Sequence, residues 1–548
     1  MTDASTTMMR ERLAQNSPEF RRGRGEPTFE SDARSESGRR PSAATCFKRR
    51  PTWSAFVASF AAILLVNWHE LAQPPAWDAA MSVHPAAITL SKNGFNLAEL
   101  LHLPSYAQGG PNTHGASTVT WLYAVVYWGF SGSAALFPIM HLFQFAISAA
   151  GLAATFRLAQ PLLGDALAAL FCAAVLSCPT LLAQTGCLYL EAPLLASTIG
   201  ALAAWSSGRR GWAVILALVA CSIKETGVVA AATLAAAALL EAKAWHTRVI
   251  GAFSVLAPAT TAVLIEMAVV RPPGAVAYRP PQLAFFLRYH VAERMVQAPD
   301  LCCFIGLFAL VGLLQIKTVW RSLRGAKEPG CAGAASPQFG LAGLAVWALL
   351  GVLAATPLVG ELYVLPRYFV QVLPCLFLVL LDALRRAAGP RAAWAATALA
   401  LALFAANCGG AFYRENPAND GSVAERSLEY GDLLEAQRLA IKALAKVPAE
   451  TPVFYGYPEH FMTGYPEMRF VEHRPRNGHC IALEEPYRNG RLRDFPRHFH
   501  VVVDYAALGG HQIQALVVQA ARSQWLVRKA ADVRRGRYRV LLVELRAP

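Results

Sequence analysis

Apolar residues in this chain are gathered into long blocks separated by short polar or basic turns. Blocks run at 52 to 68, 116 to 131, 134 to 156, 162 to 181, 188 to 206, 212 to 222, 226 to 241, 247 to 270, 301 to 316, 338 to 357, 367 to 384 and 392 to 410. A bilayer crossing needs about 20 apolar residues, so the pattern predicts a mainly α fold, a polytopic transmembrane helical bundle of about 11 or 12 hydrophobic segments. Blocks 212 to 222 and 226 to 241 are short for full spans and read as a broken pair around Lys224 and Glu225.

The polar stretches set the domain organisation. Residues 1–50 hold almost no apolar run and end in Lys48, Arg49 and Arg50, a disordered basic cytoplasmic tail ahead of an uncleaved anchor. Residues 69–115 break the pattern with Pro74, Pro75, Asp78, Gly94, Pro104, Gly109, Gly110 and Pro111, and form a large first exterior loop in the 51–410 transmembrane domain. Basic clusters at 209–210, 243–248, 317–327 and 385–391 are placed in the cytoplasm, which leaves the Gln184–Glu191 turn, the Lys224–Glu225 turn, 271–300, 358–366 and everything beyond Gly410 outside. If Arg157 is also inside, block 116 to 131 begins and ends outside as a half-embedded helix; if it spans, one later turn is misplaced. Beyond Gly410, residues 424–447 carry Leu428, Leu434, Ile441 and Leu444 near helical spacing. Val453–Tyr457, His498–Tyr505 and Tyr538–Leu545 read as strands, which makes 411–548 an exterior soluble α/β domain.

Composition agrees with the blocks. The 548 residues are 55% hydrophobic and 16% charged, against roughly 25% charged in a soluble domain. The net charge of +14 lies largely between apolar blocks, where it orients spans, so no nucleic-acid partner is implied. The 11 cysteines include no CxxC and read mostly as small hydrophobes, with an outward disulfide from Cys187 left unsupported by any spacing. His84, His102 and His114 stand singly, without the i, i+4 spacing of a zinc pair. No resident cofactor is called for, and a divalent cation stays open.

The ordered features Trp77-Asp78 early in the first loop, Gly164 closing a helix, Glu191 at the start of a span, Ser222-Ile223-Lys224-Glu225-Thr226-Gly227, and Pro366-Arg367-Tyr368 with Pro374 carry a resemblance. The chain resembles the GT-C superfamily of integral-membrane glycosyltransferases, in the protein-mannosyltransferase and aminoarabinose-transferase-like group. That resemblance implies a sugar transferred from a polyprenyl-phosphate donor to an exterior lipid, glycan or protein acceptor at the inner membrane. Where family members carry a Pro-Pro pair with a basic neighbour, this chain reads Gly110-Pro111-Asn112-Thr113-His114-Gly115, which leaves His114 as the local substrate contact. Asp78 is followed by Ala79 rather than by a second acid, so protein mannosylation is not the first choice of acceptor.

The same residues make chemical sense by themselves. Glycosyl transfer needs a carboxylate for the acceptor proton and cations for the departing phosphate. Asp78, about ten residues past the first span, is the candidate base; a loop aspartate capping a helix is the plainer reading. Glu191 is the second catalytic candidate, against a helix N-terminal charge favoured by the macrodipole. Lys224 and Glu225 either pair with each other or bind substrate, and Arg367 with Tyr368 either anchors at the interface or binds phosphate. Arg288 lies in a 271–300 segment of interleaved basic and aromatic residues that could clamp the isoprenoid. The rival classes are a transporter or lipid flippase, and a noncatalytic scaffold.

Overall fold

The computed structural model describes residues 50–102, 117–240, 244–270, 337–355, 366–412, 426–481, 484, 487, 489–505 and 510–548. The first apolar block forms α1 (Arg50–Asn67), few of whose side chains are buried, as expected for a lipid-facing helix. Among the described residues three helices, Thr52–Glu70, Leu136–Leu163 and Arg367–Ala388, are each long and apolar enough to cross a bilayer. The 162 to 181 block, expected as one span, is instead two helices, Asp165–Leu176 and Pro179–Gly186, bent by 68°. Cys178 before Pro179 explains the break, because proline disfavours helical geometry in the residue before it.

The first loop is more ordered than its breakers suggested. It holds a π turn (Ala79–Val83) that runs into α2 (His84–Lys92), and the residues from Ala79 to Ile88 are buried. This helix packs against α3 (Thr118–Phe130). At 13 residues α3 extends about 20 Å, short of the ~30 Å hydrocarbon core, which suits a half-embedded helix. The bundle continues with α4 (Leu136–Leu163), α5 (Asp165–Leu176), α6 (Pro179–Gly186), α7 (Glu191–Ser206), α8 (Arg210–Ile223), α9 (Val228–Leu240), α10 (Trp245–Val270), α11 (Pro337–Ala355), α12 (Leu373–Ala388) and α13 (Pro390–Asn407). Gly151 on α4 lets α7 approach closely, since a Cβ there would stand 3.0 Å from the Ala196 backbone. Block 301 to 316 lies outside the described residues.

After Tyr430 the chain builds a three-layer α/β unit. Its sheet has the order β2-β1-β3-β5-β4, with β1 (Val453–Tyr455) parallel to β2 (Gly478–Cys480) and β3 (His498–Asp504). The remaining strands, β5 (Tyr538–Arg546) against β3 and β4 (Leu526–Arg535) against β5, are antiparallel. Alternation along β5 sorts its two faces: Tyr538, Val540 and Leu542 turn toward α14 (Tyr430–Ala443), and Leu541, Val543 and Leu545 toward α16 (Gly510–Arg522). The α14 face shares one continuous apolar core with the bundle, while the α16 face has a core of its own. A further helix, α15 (Tyr457–Gly464), packs on the π turn. Additional ties are the Lys92–Glu467 ion pair, the Arg469 guanidinium on the Ser133 carbonyl, and Thr180 donating to the Arg426 carbonyl at 3.1 Å. One apolar core therefore takes in residues of both the bundle and this unit.

Candidate active site

Each charged candidate among the described residues sits where regular helix starts, ends or changes geometry. Asp78 directly precedes the π turn, a form that tends to occur at functional sites. Its side chain makes no capping bond, so the helix-cap reading does not apply. Glu191 is the first residue of α7; Lys224 is extended (φ −158°, ψ 148°) between α8 and the turn Glu225–Gly227; Arg367 lies in the 3-10 helix Pro366–Val372. Such irregular backbone survives at membrane depth only inside protein or beside a cavity. Gly227 permits the turn at Lys224, because a Cβ there would overlap the Ala220 carbonyl.

These four side chains meet. Arg367 Nη2 donates to Asp78 Oδ2, Arg367 Nε lies 3.5 Å from Glu191 Oε1, and Lys224 Nζ donates to that same Oε1 at 2.9 Å. The result is a chain of alternating sign, Asp78–Arg367–Glu191–Lys224, whose formal charge is zero and whose members are only 2% to 5% exposed. Lys224 thus pairs with Glu191 across 33 positions rather than with its neighbour Glu225, which is half-buried in the following turn. The Tyr368 ring lies 4.4 Å from Lys224 Nζ, and the Tyr189 ring 5.2 Å from Arg367 Cζ, so two aromatic faces shield the cations.

Several buried polar atoms of or near in sequence to this chain have no hydrogen-bond partner among the described residues. They are Glu191 Oε2, the indole Nε1 of Trp77 next to Asp78, and both amide atoms of Gln371, four residues after Arg367 on the same 3-10 helix. Each orphaned polar atom costs about 1–3 kcal/mol, and native folds keep few. A polar ligand would satisfy them. Backbone strain gathers here too: Trp77 (φ 39°) and Leu188 (φ 55°) occupy the left-handed region, which costs a non-glycine residue on the order of 1–3 kcal/mol.

A layer of polar groups holds the strained Leu188–Tyr189 segment in place. The His84 ring bonds the Tyr127 hydroxyl at 2.9 Å and the Leu188 carbonyl at 3.3 Å, and Gln144 Nε2 donates to the Tyr189 carbonyl at 3.1 Å while its Oε1 accepts from Tyr123. His84 is therefore a satisfied core histidine that steadies the segment leading to Glu191. Among the described residues no group of His, Cys, Asp and Glu is arranged to hold a metal ion. Cys187, which carried the unsupported disulfide option, is a free thiol and buried. His114 and Arg288 lie outside the described residues. The sequence missed Tyr189, Trp77 as a polar group, and Gln371; for Tyr189 the signal was an aromatic ring two positions before an acid in an otherwise aliphatic run.

Fold and site together define a helical membrane protein whose buried, charge-balanced polar cluster lies where its carboxy-terminal α/β unit is seated on the first loop. No family model and no curated protein matches the sequence. Among solved structures the chain is similar to ArnT from Cupriavidus metallidurans bound to undecaprenyl phosphate, at 14% identity over 89% of this chain and 97% of that one, with a TM-score of 0.46. It is also similar to the apo state of ArnT from Cupriavidus metallidurans, at 17% identity over 92% and 98% of the two chains, with a TM-score of 0.39.

Proposed function

We propose that this chain is an integral-membrane glycosyltransferase of the GT-C type, which moves a sugar from a polyprenyl-phosphate donor to an exterior lipid, glycan or protein acceptor. The observation that carries the reading is the buried Asp78–Arg367–Glu191–Lys224 chain. It unites two carboxylates with two cations, the set that an acceptor hydroxyl and a departing lipid phosphate require. In the resting protein both cations are occupied by carboxylates. A donor phosphate competes for Arg367 and Lys224, and the Asp78 oxygens that Arg367 leaves become available to the acceptor hydroxyl. Asp78 takes the proton as that oxygen attacks the anomeric carbon, the bond to phosphate breaks, and the single displacement inverts the anomeric configuration. Glu191 keeps Lys224 in reach of the phosphate and offers its unpartnered Oε2 to the acceptor. The proposal puts the amino terminus in the cytoplasm and the α/β unit outside the inner membrane.

A transporter or flippase is the second reading, because buried ion pairs also serve ion coupling. Against it stands the continuous apolar core that joins the α/β unit to the bundle, since alternating access rocks one part of a protein against another. The deciding experiment is transfer in reconstituted membranes from a radiolabelled polyprenyl-phosphate sugar, with wild type and Asp78→Asn. Losing a general base costs about 10²- to 10⁴-fold in rate. Wild-type turnover by a folded Asp78→Asn protein would remove Asp78 from the mechanism.

A further inference from the structure

The α16 layer of the carboxy-terminal unit carries a second site, remote from the charge chain in that it belongs to the separate core on the sheet's other face. A 650 Å³ cleft there is lined by Arg491, Leu492, Arg493, Gln519, Ser523 and Trp525. Two local devices build it. Gln519 Oε1 accepts the Leu492 N–H at 3.2 Å and ties the 491–494 turn to α16. Gln524 adopts φ 60°, which reverses the chain after α16; the Trp525 N–H then bonds the Ala520 carbonyl at 3.1 Å, and the indole rests edge-on against Phe499 at 6.0 Å. The indole is fixed yet half-exposed, and it is a cleft wall.

From this arrangement we infer that the cleft binds an anionic sugar, one bearing a phosphate or a carboxylate. A rigid indole face suits the apolar face of a pyranose ring, the Gln519 amide and Ser523 hydroxyl suit ring hydroxyls, and guanidinium forks suit the anion bidentately. Arg493 shares only a 3.8 Å contact with Asp494, and Arg491 makes no ion pair among the described residues, so the cleft keeps net positive charge. The site would hold part of an envelope glycan while chemistry proceeds elsewhere, and its occupancy can be read with no transfer reaction at all.

The test uses the full chain in detergent micelles and ligand-observed saturation-transfer NMR, with glucose 6-phosphate, glucuronic acid, glucose and inorganic phosphate as probes. Glucose 6-phosphate or glucuronic acid should bind in the millimolar range, more weakly as salt rises, and the preferred one identifies phosphate or carboxylate as the anion. The Arg491→Gln/Arg493→Gln pair should weaken that binding by about tenfold or more, and Trp525→Ala should weaken it while leaving inorganic phosphate unaffected. Asp78→Asn should bind as wild type does, which separates this cleft from the transfer site. Equal binding of glucose, equal binding of inorganic phosphate, or unchanged binding by the double variant with a wild-type melting temperature would each overturn the inference.

Discussion

Removing an oppositely charged pair from the buried charge chain should cost little more than removing either member alone. At 2.9 Å and an effective dielectric of ~20, the Lys224–Glu191 attraction is about 6 kcal/mol, and the 3.5 Å Arg367–Glu191 contact adds about 5 kcal/mol. Desolvation offsets most of both, but it has already been incurred in the folded protein. Lys224→Met leaves Glu191 shared with Arg367 alone and the cluster at net −1; Glu191→Gln takes away the 2.9 Å partner of Lys224 and leaves it at net +1. Each change should destabilise by about 3–5 kcal/mol, the usual cost of an uncompensated buried charge. The double variant restores neutrality with the Asp78–Arg367 pair intact, so its total cost should be close to that of either single change, a coupling energy of about 3–5 kcal/mol. Reversible unfolding in mixed micelles, titrated with sodium dodecyl sulfate, measures all four corners of the cycle. If the two single costs add to within ~0.5 kcal/mol, the four side chains do not act as one electrostatic unit.

Three further outcomes follow from particular contacts. In the α/β unit, burial and then the neighbouring Asp504 hold the Glu459 carboxyl well above its ordinary value of 4.5, with Gln437 donating to Asp504 at 2.7 Å. The folded state keeps a proton that the unfolded chain releases, so this stabilisation is full below pH 4.5 and is lost as pH rises through the raised folded value. The melting temperature should fall with pH across that window, and Glu459→Gln should flatten the fall; an unchanged slope in the variant contradicts it. Gly186→Ala would drive a methyl into the Glu70 carboxylate and the Tyr430 hydroxyl, which converge over it, and should destabilise by about 1–3 kcal/mol in the same unfolding assay; a neutral effect means that seam yields freely. His84→Phe keeps the stacking with Tyr123 but loses the bond to the Leu188 carbonyl; transfer should drop while the donor affinity of the variant stays near wild type, and an unaltered rate would show that the strained segment needs no such support.

Run length made the helices legible, and so did a lysine and an acid breaking an apolar stretch at Lys224. The pairing of those charges was not, because Arg367 reaches Asp78 across 289 positions and no local rule carries that far. The π turn after Asp78 was hidden for a different reason: Ala79 to Val83 is plain apolar sequence set among prolines and glycines, which reads as loop until tertiary packing orders it. Strand β4 was missed because its charged, largely exposed residues mark an edge strand and blur the alternation a half-buried strand shows. The α/β unit was correctly expected from β1, β3 and β5, whose buried residues are continuous enough to read directly.

An ion-paired resting state is what the chemistry of a lipid phosphate asks for. An unpaired carboxylate in a buried site would either take up a proton or draw in water, and either event spoils a general base or exposes an activated donor to hydrolysis. With Asp78 held by Arg367, and Glu191 held by both Arg367 and Lys224, neither carboxylate is open to solvent before a phosphate arrives. Under the proposed mechanism an arriving phosphate would make the cluster net negative, and the strongest relief would be for the cations to turn toward it, which would free a carboxylate only when the donor is in place. Binding and activation would then be one event, with charge neutrality setting the order. That order gives a measurable signature: at limiting donor, Arg367→Lys should raise the donor concentration needed for half-maximal rate, because a single-point cation replaces a fork. If it changed only the maximal rate, Arg367 would serve the chemical step alone and the exchange would not be how the base is released.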